Sequence, residues 1–177
     1  MDAVISECGK YRYVLRRSLG SVLRWYKPML FVMLNPSTAD ATEDDPTIRR
    51  CMDFARREGM THLNVVNLFA FRSPDPKELR YADDPVGPEN DRYLREEIGK
   101  HSHGAVVAAW GAHHFAMTRG SEVYEMAPDK FWCLGRTKGG YPKHPLYLPK
   151  NAPLEQFSWR DWPKDTTAQQ ATKSEDK

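Results

Sequence analysis

The residues best equipped for chemistry fall in four short segments of the chain. The first runs Asn35-Pro36-Ser37-Thr38-Ala39-Asp40 and continues through Glu43, Asp44 and Asp45. The second starts at Asn67, inside an apolar run, and passes through Phe71-Arg72-Ser73-Pro74. The third is Trp110-Gly111-Ala112-His113-His114, and the fourth spans Gly135 to Leu146, with Arg136, Lys138, Tyr141, Lys143 and His144. Asn67 is the sharpest of these signals because Val65, Val66, Leu68 and Phe69 surround it. A buried amide must satisfy a carbonyl and an amino group at once. It either makes a structural hydrogen bond to a neighbouring loop or reads the edge of a planar heterocycle such as a nucleobase. His144 is either an exposed histidine or part of a turn shaped by Gly139-Gly140 and the flanking prolines.

Other clusters invite competing chemistry. Asp40, Glu43, Asp44 and Asp45 could offer oxygen ligands to a divalent cation, as a metal-dependent phosphoesterase would require. The stronger expectation is that Asp45 caps a helix and the others favour its positive end, with no metal. His101-Ser102-His103 and His113-His114 have no Cys or carboxylate at ligand spacing, so surface positions are expected for them. Gly135 to Gly140, GRTKGG, lacks the spacing of a nucleotide-triphosphatase loop. Its cations Arg136 and Lys138, with Lys143 and Lys150, either hold a phosphodiester backbone or form an ordinary solvated loop. Arg49, Arg50, Arg56 and Arg57 read as a solvated stripe on a helix, and Cys51 as core. Ser37 has no nucleophile elbow around it, which argues against a hydrolase triad. No cofactor is expected.

These segments need a scaffold, and the pattern predicts one. Tyr11 to Arg17 and Ser21 to Tyr26 are β-prone and meet at Leu19-Gly20, which suggests a hairpin. Met29 to Leu34, Leu63 to Phe69, Ala105 to Trp110 and Lys130 to Leu134 read as buried strands. Helices are expected from Asp45-Pro46 to Gly59, around Asn90 to Lys100, and over Ala112 to Met126. A long Pro-rich loop spans Arg72 to Pro88. The βαβαβαβ order implies a three-layer α/β/α sandwich with a mainly parallel four-stranded core sheet and an N-terminal antiparallel hairpin. Ligands of such sheets bind beyond the carboxyl ends of the strands, where all four segments converge.

Composition narrows the classes further. The chain has 177 residues, 26 basic and 24 acidic, for a net charge of +2. That excludes a polycation and an acidic tail protein, and permits a locally basic groove. Hydrophobic residues make up 40% and the mean hydropathy is −0.69, as expected of a globular chain. Residues 1–162 read as one domain, and Pro163 to Lys177 as a polar disordered tail. Three scattered cysteines, Cys8, Cys51 and Cys133, argue against a disulfide framework or a metal–sulfur site. Neither a signal peptide nor a membrane-spanning run is visible, so a cytoplasmic monomer without membrane contact is expected.

Two resemblances emerge from the motifs. Met33-Leu34-Asn35-Pro36-Ser37, Asn64-Val65-Val66-Asn67, the run Val106 to Ala112 and His144-Pro145-Leu146 stand in order at successive strand ends. That series resembles the uracil-DNA glycosylase superfamily, a distant likeness. More closely, Tyr11–Arg17, Met33–Cys51, Asn64–Ser73 and Gly140–Leu148 resemble the bacterial and phage family called domain of unknown function 1643. The closer likeness covers Ile5 to Leu148 and brings no settled activity.

The glycosylase likeness implies roles residue by residue. Asn35 would orient the attacking water, Asn67 would recognise the base, and His144 would stabilise negative charge on the departing base. Pro36, Ser37, His113 and Tyr141 would complete the base-binding surroundings, with Tyr141 substituting for the stacking residue that usually follows the first motif. Arg136, Lys138 and Lys143 would hold a phosphate backbone, making DNA or a nucleotide the expected partner. Two departures matter. Asn35 could position water but cannot deprotonate it as a carboxylate would. The His144-Pro145-Leu146 loop is also short, so no residue is assigned to part a duplex. The expectation is a nucleobase-recognising, glycosylase-like N-glycoside hydrolase; the alternatives are a non-catalytic nucleic-acid or nucleotide binding module and the metal-dependent phosphoesterase.

Overall fold

A computed structural model of the chain describes residues 2–20, 25–37, 43–101 and 106–159. Seven strands form one mixed sheet: β1 (Asp2–Ile5), β2 (Arg12–Ser18), β3 (Pro28–Met33), β4 (His62–Asn67), β5 (Val106–Ala108), β6 (Phe131–Cys133) and β7 (Glu155–Gln156). Their order is β1-β2-β4-β3-β5-β6-β7. The four central strands, β4-β3-β5-β6, pair parallel, as their continuous apolar runs require. Three helices link them: α1 (Pro46–Arg57), α2 (Asn90–Lys100) and α3 (Ala116–Glu125). No described helix is long and apolar enough to cross a membrane.

Strands β3, β4 and β5 bury both faces, while β6 exposes Trp132, and the period-2 alternation sorts the buried side chains between two cores. Met29, Phe31 and Met33 of β3 join Ile48, Cys51, Phe54 and Ala55 of α1. Leu30 and Val32 face the other way, toward Leu94 and Ile98 of α2 and Val123 and Tyr124 of α3. Helices therefore cover both faces of the sheet. The Asp45 carboxylate accepts from the Ile48 amide at 2.8 Å and Pro46 occupies the first turn, so α1 starts where expected. It stops at Gly59, whose φ of 66° is costly for any side chain.

The sheet is larger than the pattern suggested, and its edges differ. β2 forms a hairpin with β1 on its N-terminal side. Residues 21–24 lie outside the described residues, and Trp25 and Tyr26 are not in a strand. The other edge of β2 pairs antiparallel with β4. β7, unexpected from sequence, is a two-residue strand antiparallel to β6. Helix α3 begins at Ala116, which leaves His113 and His114 in the preceding turn. The expected tail from Pro163 lies outside the described residues.

A buried ionic cluster ties α2 to the sheet. The side chain of Glu97 is 1% exposed and accepts from Arg16 of β2 at 2.7 Å and Lys100 at 2.8 Å. The amide of Asn64, on β4, donates to its other oxygen at 3.0 Å. Burial opposes the charge on Glu97, but the bonds from Lys100 and Arg16 outweigh it and hold the carboxyl below its ordinary value. Stabilisation from a lowered carboxyl is complete above the ordinary value and disappears as pH falls through the lowered one. Glu97→Gln should cost about 2 kcal/mol at neutral pH. Urea unfolding of parent and variant should show that gap shrinking below pH 4.5; a gap unchanged well into acid would leave shape, not charge, as its cause.

Candidate functional site

The carboxyl ends of the parallel strands open onto a cleft of about 550 Å³. Of the residues singled out in the sequence, Asn35, Ser37, Asn67, His113, Lys143 and His144 line it. Pro36, Tyr141, Arg136 and Lys138 do not. Pro36 is buried beneath the first loop, and its carbonyl accepts from the Ser73 amide at 2.9 Å. Tyr141 closes the fourth loop through backbone bonds with Thr137, its ring packed on Gly139. Arg136 is drawn to the β7 edge, where it donates to the Gln156 carbonyl at 2.8 Å and lies over the Phe157 ring. Lys138 is exposed at the loop tip.

Asn67 is the defining feature of the floor. It ends β4 in register with Met33 of β3, is 1% exposed and lines the cleft. Neither its Oδ1 nor its Nδ2 has a hydrogen-bond partner, so the bond to a neighbouring loop that a structural amide would make is not present. Its backbone is held instead. The Asn90 amide donates to the Asn67 and Leu68 carbonyls at 3.1 and 3.0 Å, and Arg119 Nε donates to the Leu68 carbonyl at 3.0 Å. Residues of two helices thus clamp the strand exit while the buried Asn67 side chain makes no hydrogen bond.

Asn35 is oriented in the opposite sense. Its Nδ2 donates to the Pro36 carbonyl at 3.1 Å and the Ser73 carbonyl at 2.9 Å, so Oδ1 is left as the acceptor. His144 Nδ1 accepts from the Leu146 amide at 3.3 Å, which leaves the proton of the neutral ring on Nε2. Burial depresses the basicity of His144, neighbouring His113 adds to the effect, and Asp45 opposes it. Burial alone lowers His113. The cleft therefore holds two imidazoles biased toward the neutral form. Gly111 packs against both histidines, and its φ of 78° is a conformation that a side chain would strain.

Several lining residues carry no signal in the segments singled out above. Arg12, on β2, is buried at the cleft wall. Tyr147 lines the mouth and is 83% exposed, with its ring centroid 5.7 Å from that of His144. Arg50 and Arg57 are not a solvated stripe: Arg50 donates to the Leu148 carbonyl, and Arg57 to those of Lys150 and Ala152. Both guanidinium groups also lie over Phe54, so α1 holds the chain that follows His144. Asp45 lines the cleft from its capping position, whereas Asp44 is paired with buried Arg17 at 2.6 Å. Asp40 lies outside the described residues. Among those residues, no group of three or more His, Cys, Asp or Glu side chains could hold a metal. His101 is buried rather than at the surface, its Nδ1 2.7 Å from the Glu97 carbonyl, and His103 lies outside the described residues.

An unmet buried amide costs about 1–3 kcal/mol, and removing it recovers much of that. Asn67→Ala should therefore leave thermal stability unchanged or slightly raised, whereas Asn90→Ala should lose about 1–2 kcal/mol by removing the donor to the Asn67 carbonyl, Arg119 still serving that of Leu68. Melting curves of the two variants against the parent check this; a strongly destabilised Asn67→Ala would restore the structural reading.

No curated protein and no solved structure matches the chain. The strands and loops that build the cleft, from Arg12 on β2 to Leu146 beside His144, are nevertheless a recurring unit. A family model matches residues 12–146, and the chain belongs to the family described as "Protein of unknown function (DUF1643)".

Proposed function

We propose that the cleft recognises a nucleobase and that the protein is a glycosylase-like N-glycoside hydrolase, acting on a modified or mispaired base in DNA or on a nucleotide. The observation that carries this reading is Asn67: a buried side chain with an unused donor and an unused acceptor, side by side, on the floor of a cleft. Nothing complements that pair better than the edge of a heterocycle presenting an adjacent acceptor and donor. The order of strand-end motifs supports a fold similar to that of the uracil-DNA glycosylase superfamily.

The other polar groups suit cleavage of the bond between base and sugar. Such a reaction needs a placed water and a hydrogen-bond donor where negative charge gathers on the leaving base. Asn35 Oδ1 can accept from the water, and His144 Nε2–H can donate to a base oxygen. A neutral donor suits this task because charge on the base appears only in the transition state. Lys143 at the rim, with exposed Leu146 and Tyr147, offers a cation and apolar surface to the rest of a nucleotide chain.

A panel of single- and double-stranded oligonucleotides, each with one modified base, tests the reading through abasic-site formation. In single-turnover reactions His144→Ala should release base on the order of 10²–10³ more slowly than the parent while binding the same oligonucleotide equally well. Binding should weaken as salt rises, because phosphates are neutralised. Saturable, salt-dependent binding without release of any base would assign the protein as a non-catalytic binding module.

A further inference from the structure

We propose that Asp45 is the general base that activates the water, an inference that rests on the hydrolase reading above. Among the described residues it is the one carboxylate lining the cleft. The amide of Asn35 can hold a water but cannot take its proton, so hydrolysis in this cleft requires an acceptor from elsewhere. Asp45 is half-buried at the start of α1. Its Oδ1 is engaged by the Ile48 amide at 2.8 Å, and no hydrogen bond among the described residues occupies Oδ2. One oxygen thus fixes the side chain while the other is available. The carboxylate also acts on His144, favouring protonation of that ring against burial and His113.

The division of labour follows. Asn35 Oδ1 accepts one hydrogen of the water and sets its position. Asp45 Oδ2 accepts the other as the water oxygen bonds to the anomeric carbon of the sugar. The bond from that carbon to the base nitrogen breaks, and its electron pair leaves with the base, whose oxygen is met by His144 Nε2–H. The base nitrogen then takes up a proton, and Asp45 returns its own to solvent, so one water is consumed and neutral base and sugar hydroxyl are formed. The cap explains why this group was hidden in the sequence: an Asp before a Pro at a helix start has a sufficient structural reason to be there.

Substitutions that keep the cap separate the two roles. Asn and Ser at position 45 both still accept from the Ile48 amide, but neither accepts a proton from water. Asp45→Asn and Asp45→Ser should melt close to the parent and bind the cleaved oligonucleotide as tightly. Their single-turnover base release should fall on the order of 10²–10⁴-fold, the usual share of a general base. Added formate should restore part of the rate to Asp45→Ala. Base release by Asp45→Asn within a few-fold of an active parent overturns the assignment of Asp45 and leaves the hydrolase reading standing. A parent that releases no base from any member of the panel overturns the hydrolase reading and Asp45's role with it.

Discussion

The cleft depends on how the backbone is satisfied where the parallel ladder ends. β3 and β4 finish level, with Met33 opposite Asn67, and beyond them the Leu68 and Phe69 amides still donate to the Met33 and Leu34 carbonyls at 2.9 and 3.0 Å. Carbonyl and amide groups there are buried and cannot be left to water. Asn90 and Arg119 take the carbonyls at the exit of β4, and Asn35 ties the exit of β3 to Ser73. The loops are thus fixed by side chains that reach backbone, and the side chain of Asn67 is left without a structural bond.

That arrangement stores a cost. A donor and an acceptor with no partner, buried in an otherwise apolar floor of Met33, Val65 and Trp110, work against folding. The apolar contacts of two full cores carry this deficit, since each fully buried Leu, Ile, Val or Phe contributes about 1.5–3 kcal/mol. Local rules are broken at functional sites when the surroundings over-determine the conformation. Here two helices hold the strand end, and the unmet amide is the part of the molecule that gains most from a ligand.

The electrostatics point the same way. Two imidazoles held toward neutrality, a single carboxylate among the described lining residues, a buried arginine at the wall and an exposed lysine make a pocket of low net charge. Such a pocket suits a neutral planar ligand whose charge changes during reaction better than a strongly anionic one. The stronger charges of the molecule are spent elsewhere. Glu97, Arg17 and Arg119 are internal ties, and Arg50 and Arg57 hold the segment that follows His144.

The periodic and punctuating residues determined the central scaffold by themselves. Four apolar runs marked the parallel strands, and Asp45-Pro46 and Gly59 bounded α1, because burial and capping act within a few residues. Convergence of Asn35, Asn67, His113 and His144 followed from the rule that parallel strands point their carboxyl ends one way. The edges were not legible. β1 pairs with β2, and two residues near the end of the described chain complete the other edge, because partner choice between short strands is settled by the whole sheet. Tertiary structure alone decided which polar groups are spent and which are open. Asp44 and Asp45 look alike in sequence, yet Arg17, 27 residues before Asp44, consumes the first and leaves the second facing the cleft. A hydrogen bond belongs to whichever partner arrives in three dimensions, and no spacing along the chain records that arrival.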